Sequence, residues 1–505
     1  MSLAIVRTRA QVGIQAPLVT VEVHLSNGLP TMSIVGLPEA AVKESKDRVR
    51  SAILNSNFDF PAKKITINLA PADLPKEGGR YDLAIALGIL AAAGNIPDTL
   101  FNQHEFIGEL ALSGELRPIR GILSGAIQAQ QAKKTLILAT DNAEEASLCR
   151  GAQQKSASSL LEVCAYLCGQ TSLEDVDNLE LPEFIAQHAD LNEVRGQAQA
   201  KRALEITAAG RHHLLFIGPP GTGKTMLASR LAGILPPMND EEALESAAIH
   251  SISQHHSSWL QHWRQRPFRS PHHTASGISL VGGGGKPRPG EISLAHGGIL
   301  FLDELPEFSR KVLDVLREPL ESGEICIARA SRQVTFPARF QLVAAMNPCP
   351  CGYYGDASAK CTCTEDQVKR YQGQTSGPLL DRIDLQVEVP PISILELQKP
   401  NLLQQEDSST VQRRVLRAWR VQTLRQQCSN GQLSNSQVEA FCQLSKEDEN
   451  LLRLAIEKLD LSARAYHRVL KISRTIADLD ESIEIGTHHI MEALSYRKLE
   501  RYRQN

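Results

Sequence analysis

The stretch Gly218-Pro219-Pro220-Gly221-Thr222-Gly223-Lys224-Thr225 decides the fold of this 505-residue chain. The mostly apolar run 213–217 before it predicts a buried parallel strand, and the run 226–232 after it predicts a helix. Its glycines let the backbone curl so that successive N–H groups point inward, where the helix start adds its positive end. A loop of this kind cradles phosphate groups, and the complete motif disfavours an ordinary glycine-rich turn.

The motif assigns a role to the two residues that end it. Lys224 is expected to hold the β and γ phosphates of ATP, and Thr225 to hold Mg²⁺. All eight residues of 218–225 are therefore predicted to bind ATP.

The composition is that of an ordinary globular chain, with 42% apolar and 22% charged residues and a formal net charge of −3. Because a chain of 505 residues is too long to fold around a single hydrophobic core, we expect three domains. The slight negative charge confines any nucleic-acid site to a local patch. No apolar run approaches the roughly 20 residues that span a bilayer, and the N-terminus lacks a signal-peptide layout, so we expect a cytoplasmic protein without a membrane partner.

Residues 1–170 predict an α+β domain with its own core. Within it, 73–84 and 108–121 resemble the protease domain of the Lon family and its inactive relatives, which implies an S5-like fold. Arg80 follows Pro75-Lys-Glu-Gly-Gly79 where that family has its nucleophilic serine, and 121–126 lacks the lysine partner. We therefore expect a catalytically inactive Lon-protease-like domain of the magnesium-chelatase N-terminal type.

Three arginines of this domain leave an alternative open. Arg80, Arg117 and Arg120 either line a nucleic-acid surface or are ordinary solvated side chains. An acidic linker is then expected over 171–189, because residues 171–193 hold seven carboxylates and no Lys or Arg.

The ATPase core is predicted over 190–392. Its first segment, 190–197 followed by 201–209, precedes the phosphate loop by about one helix, and in chaperone-like ATPases such a segment closes over adenine. The run 297–302 predicts a second buried strand, ending in Asp303 and Glu304. Asp303 would hold Mg²⁺ and its water shell, and Glu304 would orient and deprotonate the attacking water. A simple strand cap is the alternative.

A third buried strand, 340–346, is followed by Asn347, whose amide would hydrogen-bond the γ-phosphate and the water held by Glu304 unless it only forms a turn. The order of these elements is that of the AAA+ ATPases. The segment 377–384 resembles the arginine-finger segment of the branch that contains the MCM helicases and the magnesium-chelatase ATPase subunit. Arg382 would then reach the ATP of a neighbouring subunit, which implies a hexameric ring. A surface salt bridge is the alternative.

Two segments of the core predict DNA contacts. Residues 259–290 contain no acidic residue, and 325–336 predicts a hairpin. In the related helicases, hairpins at these places push on DNA phosphates, and aromatic faces offer stacking for bases. Ring-contact loops are the alternative. The predicted DNA-binding cations are Lys286, Arg288, Arg329 and Arg332, and the predicted stacking faces are Trp259, Trp263 and Phe268.

Four of the ten cysteines are clustered: Cys349, Cys351, Cys361 and Cys363. Four thiolates in a segment with little core of its own suit a structural, tetrahedral Zn²⁺. The Cys-x-Cys spacing is tighter than the common Cys-x-x-Cys, so unliganded thiols and an iron–sulfur cluster stay open.

Residues 405–505 predict an all-α lid. The segment 462–470 resembles the one in which an arginine at a helix start senses the nucleotide's phosphates. Arg464 is the first candidate and Arg468, one turn on, is the second. A basic helix face without that role is the alternative.

Nearly the whole chain resembles the YifB/ComM family of magnesium-chelatase-like AAA+ ATPases, by the motifs above, by 269–276 and by 474–479. The competence-associated branch implies a hexameric DNA helicase that drives branch migration in natural transformation. Its implied partners are single-stranded and branched DNA, further copies of the chain, and recombination proteins. The alternatives are a chelatase-type remodeller of a protein or metal-insertion partner, and a non-enzymatic regulatory ring.

Overall fold

The computed structural model describes residues 2–176, 188–253, 257–284, 287–329, 332–355, 360–392, 406–459 and 461–497. The chain divides into two compact units. The first comprises Met1–Phe184 with Ala243–Trp263, and the second Ile185–Glu242 with Arg264–Asn505.

The first unit contains two four-stranded sheets, ordered β1-β2-β4-β3 and β10-β9-β8-β5, and the hairpin β6-β7. Alternate residues of β2 are buried because a strand turns successive side chains to opposite faces. Its elements are β1 Leu3–Arg9, β2 Leu18–Ser26, β3 Thr31–Val35, α1 Ala40–Lys43, α2 Ser45–Asn55, β4 Lys64–Ala70, α3 Asp82–Ala93, β5 His104–Phe106, β6 Glu109–Leu110, β7 Leu116–Arg117, α4 Ile122–Gln131, β8 Thr135–Ala139, α5 Ala143–Ala146, β9 Gln154–Ala157, α6 Leu160–Leu167 and β10 Glu174–Asp175.

The middle of the chain supplies a parallel sheet and its covering helices. Its elements are α7 Ala198–Gly210, β11 Leu214–Ile217, α8 Lys224–Arg230, α9 Asp240–Ser253, β12 Phe268–Arg269, α10 Gly277–Val281, β13 Gly282–Gly283, β14 Arg288–Pro289, α11 Glu291–Leu294, β15 Ile299–Leu302, α12 Arg310–Val315, α13 Arg317–Ser322, β16 Glu324–Arg329, β17 Arg332–Pro337, β18 Gln341–Met346, α14 Glu365–Gln372, α15 Gly377–Leu380 and β19 Leu385–Glu388.

Five strands of the second unit form one parallel sheet in the order β12-β15-β18-β11-β19. The strands β15 and β18 are buried at every residue because both faces of such a sheet are covered. Parallel strands end at the same edge, so the residues that follow β11, β15 and β18 meet there. These residues are Gly218, Asp303 and Asn347.

The C-terminal stretch is helical, as predicted. Its helices are α16 Ser408–Gln426, α17 Asn435–Phe441, α18 Lys446–Leu459, α19 Ala463–Leu479 and α20 Thr487–Ser495. They share one hydrophobic core with the parallel sheet and with α7. The fold is thus the predicted one: α/β with a parallel ATPase-type sheet and an all-α C-terminal region. The described part of the chain contains no helix with the length and apolarity that a bilayer crossing requires.

The segment 243–263 belongs to the first unit, although it lies between the phosphate loop and Asp303 in sequence. Ala247 of α9 and the side chain of Trp259 pack with Leu123 of α4 in one apolar cluster. Trp259 is 9% exposed and its ring stacks on His250. The prediction that Trp259 offers a face to DNA bases was therefore wrong, because its ring contributes to a core.

Candidate nucleotide site

The loop between β11 and α8 has the backbone that its glycines predict. Gly221 and Gly223 lie at φ of +78° and +88°, which side chains other than glycine rarely adopt. At Gly218 a Cβ atom would lie 2.2 Å from the carbonyl oxygen of Val389, which follows β19. The loop is thus held against the neighbouring strand's end.

Lys224 lies inside this loop and is 9% exposed. Its Nζ donates to the carbonyl oxygens of Gly218 and Pro219, each at 2.8 Å, and to Oδ1 of Asn347 at 3.0 Å. Burial lowers the pKa of Lys224, while the carboxylates of Asp303 and Glu304 act in the opposite direction. The ammonium group is therefore directed at the loop and linked to β18 through Asn347.

The side chains of Thr225 and Asp303 meet at the same edge. The hydroxyl of Thr225 donates to Oδ2 of Asp303 at 2.6 Å. A hydroxyl and a carboxylate are the oxygen ligands that Mg²⁺ takes beside nucleotide phosphates, so the pair fits that ion. Glu304 adopts a φ of +51°, and its N–H donates to Oδ1 of Asp303 at 2.9 Å.

Glu304 has a neighbour, His273, for which no role in catalysis was predicted from the sequence. Nδ1 of His273 lies 3.3 Å from Oε2 of Glu304. The only sequence signal was the place of His273 a few residues after β12, the strand beside β15.

Arg382 and Arg464 lie near one carboxylate. Nη2 of Arg382 pairs with Oε1 of Glu321 on α13, and Nη2 of Arg464 lies 3.8 Å from the same oxygen. Arg382 is 8% exposed, and its Nε is buried without a hydrogen-bond partner among the described residues. Arg464 is largely exposed. Glu321 itself was not anticipated from the sequence.

Arg468 has a structural role in this fold. Its Nη1 pairs with Asp384 and donates to the carbonyl oxygen of Arg382 at 2.8 Å. Asp384 is buried and also accepts from the N–H of His213 at 2.8 Å. The second candidate for the phosphate sensor is thus engaged where β11 and β19 begin.

Acidic residues from outside the segment 259–290 neutralise part of its positive charge. Arg264 pairs with Asp240, Arg266 with Glu242 at 3.0 Å, and Arg269 with Glu291 at 2.7 Å. Phe268 stacks on Phe301 of β15. The acids lie outside the segment, which is why the sequence window showed none.

The remaining DNA candidates lie on two hairpins. Arg288 is exposed on β14, which pairs with β13. The predicted hairpin of 325–336 is formed by β16 and β17, with Arg329 opposite Arg332 in the register. Lys286 and the side chains of Arg329 and Arg332 lie outside the described part of the chain.

The four clustered cysteines converge as a metal site requires. Their sulfurs lie within 4.8 Å of one another, and three pairs are 3.3, 3.8 and 3.6 Å apart. Tetrahedral Zn–S bonds of about 2.3 Å would place sulfurs about 3.8 Å apart. The donor set therefore fits zinc. The cluster also adjoins the phosphate loop, because a Cβ on Gly352 would lie 2.6 Å from Cδ of Pro220.

A second group, Asp480, His488 and His489, does not fit a metal. Nδ1 of His489 accepts from the N–H of Gly486 at 2.8 Å, so the neutral ring has its proton on Nε2. That nitrogen lies 3.4 Å from Asp480. A protonated nitrogen cannot coordinate a cation, so the group is a local polar contact.

Arg80 of the first unit is buried, with its guanidinium donating to the carbonyl oxygen of Arg120 at 2.8 Å. Both alternatives given for Arg80, a nucleic-acid surface and an ordinary solvated side chain, are therefore excluded, because its side chain is buried. Arg117 is exposed on β7, and Arg120 is partly buried.

Comparison with known proteins covers nearly the whole chain. Residues 190–397 match the family model for magnesium chelatase, subunit ChlI, residues 21–142 that for subunit ChlI of Mg-chelatase, and residues 405–497 that for the C-terminal part of subunit ChlI. The chain is 53% identical to YifB of Escherichia coli over 503 residues, covering 99% of this chain and 98% of YifB. It is 52% identical to the competence protein ComM of Haemophilus influenzae over 508 residues, covering 100% and 99%. The magnesium-chelatase 38 kDa subunit of Rhodobacter capsulatus is 25% identical over 331 residues, covering 60% and 85%.

Proposed function

Since the chain belongs to the YifB/ComM family of magnesium-chelatase-like AAA+ proteins, we propose that it is an ATP-driven, cytoplasmic DNA motor that promotes branch migration during natural transformation. The observation that supports hydrolysis most directly is the meeting of Lys224, Thr225, Asp303 and Asn347 at one edge of the sheet. The likeness to a competence protein over the full length supports the choice of DNA.

Each residue at this edge has a role in the proposal. The N–H groups of 218–225 and the ammonium of Lys224 bind the ATP phosphates. Thr225 and Asp303 hold Mg²⁺, which supplies charge neutralisation on the phosphates when bound. Glu304 orients and deprotonates the attacking water, and Asn347 positions the γ-phosphate. The segment 190–197 closes over adenine. In support, Gln197 donates a hydrogen bond to the carbonyl oxygen of Pro390 at 2.7 Å. Pro390 follows Val389, whose carbonyl oxygen lies beside Gly218 of the phosphate loop.

Arg382 and Arg464 serve the ATP of a neighbouring subunit in a hexameric ring. Both approach Glu321, so both are available to one anionic group on one face. A phosphate offered by the neighbour would take the place of the Glu321 carboxylate, and two guanidinium groups would then stabilise the charge that develops on it.

The two hairpins β13-β14 and β16-β17 contact DNA phosphates through Arg288, Lys286, Arg329 and Arg332. Support comes from the exposure of Arg288 and from the position of Arg329 and Arg332 beside the β16-β17 turn. Three other arginines of the basic segment are paired with acids and do not take part. Recombination proteins are further proposed partners.

The cysteine cluster holds a structural Zn²⁺ that stiffens the segment between Asn347 and the arginine finger. The sulfur distances support this assignment. Metal analysis of the purified chain should find about one zinc per chain, and the variant Cys361→Ser should lose it. Iron in place of zinc, or a metal-free protein with full ATP turnover, would contradict the assignment.

The second candidate function is a chelatase-type remodeller of a protein or metal-insertion partner. It is favoured by the match of all three family models to a magnesium-chelatase subunit. Indifference of ATP turnover to DNA would favour it.

The test is ATP turnover with and without single-stranded and forked DNA. Lys224→Ala should abolish turnover, because the ammonium that binds the phosphates is removed. The double change Arg329→Ala/Arg332→Ala should abolish the stimulation by DNA and leave basal turnover intact. If neither DNA changes ATP turnover of the unaltered protein, the motor proposal fails, and a protein partner should be sought instead.

A further inference from the structure

The triplet Gly-Leu-Pro occurs at 28–30 and again at 36–38, and the two copies bracket the strand β3 of the first unit. Both leucines are exposed to solvent, Leu29 by 84% and Leu37 by 66%. Val35, the last residue of the strand, is 46% exposed. Three exposed aliphatic side chains are thus concentrated at one short strand, as is typical of an interaction site. We call β3 with these two leucines the β3 edge.

The backbone holds Leu37 in its exposed position. Leu37 has a φ of +55°, in the left-handed region that residues other than glycine rarely adopt. Just before it, Gly36 passes so close to β4 that a Cβ atom would lie 2.2 Å from the carbonyl oxygen of Leu69. Just after it, the N–H of Glu39 donates to the carbonyl oxygen of Lys76 at 3.2 Å. Leu37 is therefore held between two anchored points with its side chain in solvent.

β3 is the end strand of its sheet, and in the described part of the chain it pairs with β4 alone. An end strand offers N–H and C=O groups to a further strand, and proteins commonly protect such edges with charged residues or proline. β1, at the other end of the sheet, carries Arg7 and Arg9, and Arg9 forms an ion pair with Glu105 of β5. β3 itself contains neither a charged residue nor a proline. Its sequence therefore leaves the edge open to strand addition.

The surroundings of β3 indicate what kind of strand would fit. Met32 and Ile34 pack against the core of the first unit but are only partly buried, so an added strand would cover them. The five residues of β3 span about 17 Å, which suits an extended peptide segment better than a globular surface. Lys63 and Lys64 are exposed where β4 begins, and Lys64 is in register with Thr31, the first residue of β3. These two cations favour a carboxylate at that end of the peptide.

We propose that the β3 edge binds an extended segment of a partner protein, with aliphatic residues at alternate positions and an acidic end, which adds a strand beside β3. Backbone hydrogen bonds to β3 hold the segment. Its alternate aliphatic side chains cover Met32 and Ile34. Leu29 and Leu37 contact its two ends, and its acidic residues lie beside Lys64. This inference concerns the first unit and does not depend on the proposed ATP and DNA sites.

The experiment measures binding of a fluorescein-labelled heptapeptide, Asp-Glu-Val-Thr-Val-Thr-Val, to the full chain by fluorescence polarisation. We expect saturable binding with a Kd of about 100 µM or tighter. The control peptide Asp-Glu-Val-Pro-Val-Pro-Val keeps the acidic end and the valines but lacks the N–H groups of the two threonines. It should bind at least about tenfold more weakly, because proline cannot donate to a strand ladder. In hydrogen exchange, the first peptide should slow the exchange of N–H groups within β3.

Variants of the chain test the β3 edge directly. Leu29→Ser and Leu37→Ser should each weaken binding at least about fivefold, because each removes apolar surface that the peptide would cover. Val35→Lys should abolish binding, since a charge on an end strand blocks strand addition. Leu161→Ser is the matched control, because Leu161 is 49% exposed on α6 of the same unit and lies outside the β3 edge. Circular dichroism should give all four variants the unfolding midpoint of the unaltered chain, since the replaced side chains are exposed.

Two results would overturn the inference. One is the absence of saturable binding of the threonine-containing peptide to the unaltered chain up to about 1 mM. The other is equal affinity of the two peptides, because binding would then not require pairing of strands. ATP turnover with DNA is measured separately and bears on the motor proposal alone, so either proposal can fail without the other.

Discussion

The two arginines on α19, one turn apart, have opposite environments. Arg464 is 62% exposed beside Glu321, whereas Arg468 is paired with the buried carboxylate of Asp384. Burial alone would raise the pKa of Asp384, but Arg468 and the neighbouring histidines outweigh it and hold that pKa well below its usual range. The first arginine is free for a ligand, and the second maintains the fold.

Arg468→Ala should therefore destabilise the chain, while Arg464→Ala should not. Removing Arg468 leaves a buried carboxylate without its cation, which costs about 3 kcal/mol. Denaturant unfolding followed by circular dichroism measures both variants. The pKa of Asp384 is lower in the folded chain than its unfolded value of about 3.9, so ionised Asp384 stabilises the fold fully above that value. The difference in unfolding free energy between Arg468→Ala and the unaltered chain should therefore shrink as the pH falls through the folded pKa of Asp384. Equal unfolding midpoints at pH 7 would contradict the structural role.

At the scale of elements, the segment that carries the cysteine cluster contacts the phosphate loop directly. Gly352 and Gly355 both have positive φ, +87° and +77°, but only at Gly352 would a Cβ meet Pro220. The contact joins the segment after β18 to the loop after β11, two strands that are neighbours in the sheet. The geometry of the cysteine cluster therefore bears on the proposed ATP site.

Gly352→Ala should reduce ATP turnover at least about tenfold by displacing the phosphate loop, since small misplacements near a reacting group are costly. Gly355→Ala is the matched control. It introduces a similar backbone strain of about 1–2 kcal/mol, and no described atom lies within 4 Å of the new methyl group. Steady-state kinetics with metal analysis measures the effect, and equal turnover in the two variants would mean that the contact with Pro220 has no influence.

Within the first unit, the packing of α9 against α5 buries a carboxyl group. Glu145 on α5 bonds the hydroxyl of Ser251, and burial raises the pKa of Glu145 to about 7. A carboxyl whose folded pKa lies above its unfolded value of about 4.3 favours the folded state less as the pH rises between those values.

Glu145→Gln should accordingly stabilise the first unit at pH 8, by about 1–3 kcal/mol, and have little effect at pH 4. The amide has no charge to bury, and it still accepts a bond from Ser251. Unfolding in denaturant, followed by the fluorescence of Trp259 and Trp263 in that unit, reports the difference. A stabilisation that is the same at both pH values would rule out ionisation of Glu145 as its cause.

At the scale of the whole molecule, our proposal requires a second copy of the chain to complete the ATP site. Lys224 and Glu304 come from one subunit, and Arg382 and Arg464 are assigned to its neighbour. Two inactive variants, each lacking the contribution of a different subunit to the site, should then complement each other when mixed.

Mixing Arg382→Ala with Glu304→Gln should restore turnover that neither has alone. An active interface forms where an Arg382→Ala subunit, with its intact Glu304, receives the arginine of a Glu304→Gln neighbour. Random assembly at equal amounts makes about a quarter of interfaces active, so we expect up to about a quarter of the normal rate. If ATP turnover does not recover at any mixing ratio, either Arg382 acts within its own subunit or the sites of one assembly cannot hydrolyse ATP independently.

Much of the fold followed from the sequence because its signals are local. The phosphate loop, the apolar strands ending at Asp303 and Asn347, and the helices of the C-terminal region each need particular residues at fixed short spacings. Less was predictable where elements are short. β12 has two residues and α17 has seven, too few for a clear period.

What the sequence by itself determined is therefore the chemistry available at each position: the loop for phosphates, the acid pair and the four thiols. Only the tertiary structure decided which of these side chains are neutralised, buried or shared. Asp240, Glu242 and Glu291 pair with arginines of a segment that has no acid of its own, and the ring of Trp259 enters a core. The register of β12 on β15 brings His273 to Glu304. These pairings depend on distances between residues far apart in the chain, which short spacings in a sequence do not encode.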